Sequence, residues 1–158
     1  MQARTALIAA IVSGALAIGV VAVDVIWTLE ARFDTRDGDA WKTVAQAPTN
    51  DYRAFPHLSC ANPEMRFVVH NDKPFSDNVR IAIDYYDTAS GRTVTVLRET
   101  WRLDAFEERT HEFTLPDDAF RDPNVNQSRE KPLPVSVQVS AQVDDLWLSA
   151  CVEQEATQ

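Results

Sequence analysis

Glycine is scarce, at four residues in 158. No glycine-rich phosphate cradle, G-x-S-x-G elbow or dinucleotide fingerprint occurs. Histidine is equally sparse: His57, His70 and His111 lack metal-binding spacing such as H-x-x-x-H. His57 and Cys60, three apart, are the one His/Cys pair close in sequence, and a disulfide would remove Cys60 from it. Positive charge is also short. Fifteen Lys and Arg against 24 Asp and Glu leave a net charge of −9, without the basic patch that nucleic acid or an anionic lipid surface needs. The acids themselves carry no chemical pattern. Asp34, Asp37 and Asp39 miss the EF-hand spacing, and the pairs Glu107-Glu108, Asp117-Asp118 and Asp144-Asp145 fall in turns that face solvent. These gaps argue for a non-catalytic protein with no cofactor, no metal and no nucleic-acid partner.

What the chain does have is one long apolar run, Thr5 to Leu29, TALIAAIVSGALAIGVVAVDVIWTL. A bilayer core needs roughly 20 residues of helix. Twelve of these positions are Leu, Ile or Val, which at about −0.4 kcal/mol each favour insertion by roughly 5 kcal/mol. Asp24, close to one end of the run, opposes this by at most about 3 kcal/mol. A cleavable signal peptide ending at Ala22 is the competing reading, with Arg4 as its charged region. The run exceeds the usual h-region, however, and Trp27 follows where an interfacial anchor belongs. The expectation is therefore an uncleaved signal anchor. With Arg4 on the cytoplasmic side, the C-terminal domain would lie in the periplasm or outside the cell, on an inner (plasma) membrane. Ala6, Ala10, Ser13, Gly14 and Ala17 share one helical face, with Leu7, Ile11 and Ile18 opposite. Small residues let backbones approach closely in lipid, although Ala and Gly are common in any membrane helix.

The expected organisation is residues 1–4 in the cytoplasm, 5–29 as the transmembrane helix, 30–57 as a juxtamembrane segment, 58–153 as a β-sandwich and 154–158 as a tail. Within the juxtamembrane segment, Asp39 reads as an N-cap for a short helix over Ala40–Gln46. Phe33, Trp41, Tyr52 and Phe55 suit contact with the membrane, the domain or a neighbouring subunit. Beyond Cys60 the hydrophobic period becomes two. Arg66–His70 is a short strand, and Val79, Ile81, Ile83 and Tyr85 alternate with polar residues as a half-buried one. Thr93–Leu103 returns as its partner, with a parity switch that suggests a bulge near Leu97 or a strand changing sheets. Thr110–Leu115, Val135–Val143 and Leu146–Val152 follow, and Asp117–Phe120 reads as one helical turn. Six or seven short strands describe an antiparallel β-sandwich. Cys60 and Cys151, near its two ends, are expected to form a disulfide, with two buried thiols as the alternative.

FVVHNDKPFSDNVRIAIDYYDTASGR followed by WRLDAFEERTHEFTLP resembles the Ig-like adhesion and fibronectin type III-like sandwiches of cell surfaces. The resemblance spans about Met65 to Pro116. It implies an Ig-like fold without an active site, and by analogy makes Trp101 and Trp147 candidates for core tryptophans. Two functional classes fit. One is an accessory or structural subunit of a larger membrane complex, such as a respiratory or photosynthetic reaction-centre or antenna assembly, with transmembrane and extracytoplasmic partners. The other is an anchored binding module that recognises a ligand, glycan or envelope protein through the Pro116–Pro134 loop. Intact-mass measurement of protein taken from membranes is expected to return the whole chain. A mature N-terminus at Val23 would refute the anchor.

Overall fold

A computed structural model describes residues 29–48, 60–88, 90–121 and 134–155. The transmembrane expectation for 5–28, the small-residue face from Ala6 to Ala17, Trp27 and His57 lie outside these residues. Among the described residues no helix is long and apolar enough to cross a membrane. The protein is mainly β: the described residues form eight strands in two antiparallel four-stranded sheets, packed as a β-sandwich.

The first sheet contains β1 (Leu29–Asp37), β2 (Ala40–Ala47), β3 (Glu64–Asn71) and β6 (Glu108–Thr114), in the order β2-β1-β3-β6. The second contains β4 (Asp77–Asp87), β5 (Arg92–Leu103), β7 (Pro134–Val143) and β8 (Leu146–Glu155), in the order β5-β4-β7-β8. Alternation sends every second side chain inward. Ala31 and Phe33 of β1 join Met65, Phe67 and Val69 of β3, facing Val79, Ile81, Ile83 and Tyr85 of β4. Val137, Val139, Ala141 and Val143 of β7 complete the centre, with Leu148, Ala150 and Val152 of β8. Phe33 and Phe67 meet with ring centroids 5.1 Å apart. A single 3-10 turn at Asp117–Phe120 buries Phe120, so the expected helical turn is present.

The parity switch in β5 is a bulge. Leu97 opposes Ile83 and Thr95 opposes Asp84, leaving Val96 as the extra residue. Asp144-Asp145 closes the β7–β8 hairpin, as alternation on both sides requires. Trp101 is buried, 4% exposed, but Trp147 is 67% exposed. Trp147 pairs with Gln142 on the outward parity of the β7–β8 hairpin, which corrects the analogy that made it a core residue.

The largest correction concerns residues 30–57. Ala40–Gln46 is not a helix, and the segment's first half is not a juxtamembrane linker, because β1 and β2 form a hairpin inside the sandwich. Gly38 and Asp39 make its two-residue turn, with Gly38 at φ 61°, a conformation that glycine adopts without steric cost. The sandwich therefore includes residues well before 58, from Leu29 among the described ones, and Leu29 itself is strand and not the last helical residue. At the other end, β8 runs to Glu155, so the tail begins later than 154.

The Cys60–Cys151 disulfide is present, 91 residues apart in sequence with Cα atoms at 4.7 Å. Beside it Ala61 pairs in parallel with Val152, receiving Glu153 N–H at 3.0 Å and donating to Cys151 O at 2.7 Å. The chain thus lies along the edge of β8 before crossing to β3 in the other sheet. In the chain-entropy model a loop of this length is worth about 4.5 kcal/mol.

If β1 is structural, Phe33→Ala should cost about 3–5 kcal/mol of unfolding free energy, the usual range for emptying a buried Phe site. Denaturant unfolding of the purified protein measures this. A change within ±0.5 kcal/mol, as expected of an exposed linker residue, would contradict the assignment.

Candidate functional site

The end of the sandwich at which β1 begins gathers the features with the strongest functional character. Antiparallel pairing sets Leu29 opposite Asn71, the last residue of β3. The β3–β4 loop, Asp72–Ser76, and the β5–β6 loop, Asp104–Glu107, emerge beside it. Asn71 is fully buried and joins the two. Its Nδ2 donates to Phe75 O at 3.0 Å and to Asp104 O at 2.9 Å, while Oδ1 accepts from Lys73 N at 3.2 Å. Its own N–H donates to Glu107 O at 2.9 Å. Phe106 N–H reaches Lys73 O at 3.2 Å, and Ser76 Oγ reaches Asp104 Oδ1 at 3.1 Å.

These bonds hold two phenylalanines out in solvent. Phe75 is 56% exposed and Phe106 is 59% exposed, the latter at φ 59°. A left-handed backbone is uncommon for an aromatic residue, and the Asn71-linked loops over-determine it here. Lys73 lies 6.0 Å from the Phe75 ring and pairs with Asp77 at 2.6 Å.

The outward face of the first sheet carries polar rows. Glu30, His70 and Glu108 lie in register across β1, β3 and β6, and Asp34, Arg66 and Glu112 form another such row. His70 Nδ1 and Asp72 Oδ1 are 2.9 Å apart, and one ligand atom each from Glu30, His70 and Asp72 fit within 4.8 Å of one another. Asp34 is 1% exposed. It accepts from Arg66 Nε at 2.7 Å, Thr43 Oγ1 at 2.8 Å and, more weakly, Arg32 Nε at 3.4 Å. The guanidiniums of Arg66 and Arg36 lie 4.8 Å and 5.3 Å from the Trp41 ring. A buried carboxylate is stable only with such partners.

The second sheet's outward face has an open depression of about 510 Å³, lined by Arg80, Ala82, Arg98, Thr100, Gln142 and Asp144 among others. Among the described residues its lining holds no His, Cys or Ser. His111 stacks on Phe113 in β6, with centroids 6.0 Å apart. Most of the Pro116–Pro134 loop, proposed above as a recognition loop, lies outside the described residues.

Of the residues singled out in the sequence, the structure joins Cys60 to Cys151 and brings His70 to Glu30 and Asp72. Phe75 and Phe106 went unread. The available signal was an aromatic at each turn tip, in Lys73-Pro74-Phe75 and Asp104-Ala105-Phe106, outside either strand's alternation. The chain matches no family model and no curated protein.

Asn71→Ala leaves three backbone groups without their side-chain partner. At about 1 kcal/mol per lost bond the cost should be about 2–4 kcal/mol. Amide hydrogen exchange at Lys73 and Phe106 should accelerate more than at Val79 or Val139. Uniform exchange across the domain would show that Asn71 does not organise this end.

Proposed function

We propose that the protein is a non-catalytic, single-pass membrane protein whose Ig-like sandwich serves as an accessory subunit of a larger membrane complex, facing the periplasm or cell exterior. The observation that carries this reading is the junction at Leu29, which ends the apolar run and also begins a strand flanked on both sides in its sheet. A free binding module gains reach from a linker. This chain has none between the run and the sandwich, so a sandwich on this anchor would stand directly against the headgroups. Phe75 and Phe106 protrude from that same end, where aromatic rings suit the membrane–water interface. The acids around them, Asp72, Asp104 and Glu107, weigh against an anionic lipid surface and favour neutral lipid or a protein neighbour. The small-residue face of Ala6, Ala10, Ser13, Gly14 and Ala17 offers the matching contact within the bilayer. Respiratory and photosynthetic assemblies are natural homes for a subunit of this build.

Co-purification in mild detergent tests the reading, with a stoichiometric partner set expected. Lipid supplies no hydrophobic drive between helices, so the contact depends on close backbone approach. Gly14→Leu should therefore release partners while leaving insertion intact, because Leu favours insertion. Leu7→Ala and Ile18→Ala, on the bulky side, should retain them. Recovery of a lone monomer from the unmodified chain would instead favour the anchored binding module. Equal partner recovery in Gly14→Leu would confine any interaction to the β-domain.

A further inference from the structure

We infer that Glu30, His70 and Asp72 form a binding site for a divalent transition-metal ion of the zinc class, at the end of the sandwich where β1 begins. One imidazole and two carboxylates come within 4.8 Å. His70 Nδ1 and Asp72 Oδ1 are 2.9 Å apart, the distance of a direct hydrogen bond, so an ion held through Nδ1 would take the place of the proton between them.

The donors stand on rigid supports. Glu30 and His70 are direct cross-strand partners on β1 and β3, facing outward from the core. Asp72 follows directly after β3, and its 2.9 Å contact with His70 brings the two side chains together. Asp72 lies between Asn71 and Lys73, and the Asn71 side chain accepts from the Lys73 N–H. The loop that carries it is thus fixed before any ligand arrives, as a metal site requires.

Local charge supplies the second argument. Among the described residues the Glu30 carboxylate has no hydrogen-bond or ion-pair partner of its own. Asp72 has only His70. The nearby cations are engaged elsewhere: Lys73 with Asp77, and Arg32 with Asp34 and Glu108. Among the described residues no Lys or Arg is paired with these two carboxylates, whose only basic partner is His70, and a divalent ion would offset their charge. An imidazole donor favours zinc or its neighbours over calcium, magnesium or manganese, which suit all-oxygen sets. Three protein ligands leave positions for water or an anionic oxygen.

The test is titration of the full chain in detergent with zinc ion against a chromophoric zinc chelator. One equivalent should bind to the unmodified protein and to Glu112→Gln, a control on the same outward face. His70→Gln and Glu30→Gln should each weaken binding by more than about tenfold, since even outer-shell losses cost 10–100-fold in affinity. Both replaced side chains are partly exposed, and unchanged thermal melting without zinc checks that the variants fold. No zinc binding by the unmodified protein, or variants that both bind zinc as tightly as the unmodified protein does, would overturn the site. Either result leaves the partner-release experiment on Gly14 independent of it.

Discussion

The pairing of β1 with β3 is the constraint on which the remaining structure depends. It extends from Leu29 opposite Asn71 to Thr35 opposite Met65 without a register shift. A slip of one residue would turn every side chain to the other face. Phe33 would then leave Phe67 for solvent, and Asp34 would enter the apolar interior. The actual register does the reverse. It sets Phe33 in the core and leaves Asp34 on the outer face, where Arg66 and Thr43 can reach it. The same pairing aligns Glu30 with His70 and brings the N-terminal entry beside the loops tied by Asn71. Core, polar face and candidate site are three consequences of one register.

Closure between the sheets uses different means at different edges. At the β8 edge the chain itself crosses: Ala61 bonds to β8, Thr35 of β1 accepts from Asn62 N–H at 2.8 Å, and Glu64 starts β3. The disulfide locks this crossing covalently. Its position also covers backbone groups of an edge strand that would otherwise be open to another chain. Near β5 and β6 closure is by side chain, with Arg109 stacked 5.2 Å from the ring of the buried Trp101. Trp101 meets its own polar need through Glu99, at 3.0 Å from Nε1. No described buried side-chain nitrogen or oxygen lacks a partner, so the outward polar rows cost the fold little unmet hydrogen bonding.

What was legible in the sequence follows from how each element announces itself. β4 and β7 alternate strictly, so Val79 to Tyr85 and Val137 to Val143 could be assigned inward from period alone. The bulge in β5 showed as a change of parity between Val96 and Leu97. The β1–β2 hairpin was hidden because two local signals competed. Gly38-Asp39 marks a two-residue hairpin turn, whereas Asp39 before AWKTVAQ also marks a helix N-cap. Tertiary context decided between them, since β1 pairs with β3, 30 or more residues away in sequence. The candidate site was invisible for the same reason. Glu30 and His70 are 40 positions apart in the numbering and meet only through strand register, which no spacing rule over a single segment can detect.

The position of β1 also determines how an anchored domain would respond to movement in the membrane. Hydrogen bonds to β2 on one edge and β3 on the other hold β1 along most of its nine residues. A force along the strand from an anchor at Leu29 would load these bonds in parallel as shear. An edge strand pulled sideways would open them one at a time. If an anchoring helix ended at Leu29, such a junction would transmit its position and rotation to the sandwich with little loss, whereas a flexible linker would discard both. The protruding Phe75 and Phe106 and the Glu30–His70–Asp72 cluster share the end at which that coupling enters. On the anchored reading, helix packing inside the bilayer and contacts at its surface therefore act on one rigid body, and a change at either site would be felt at the other.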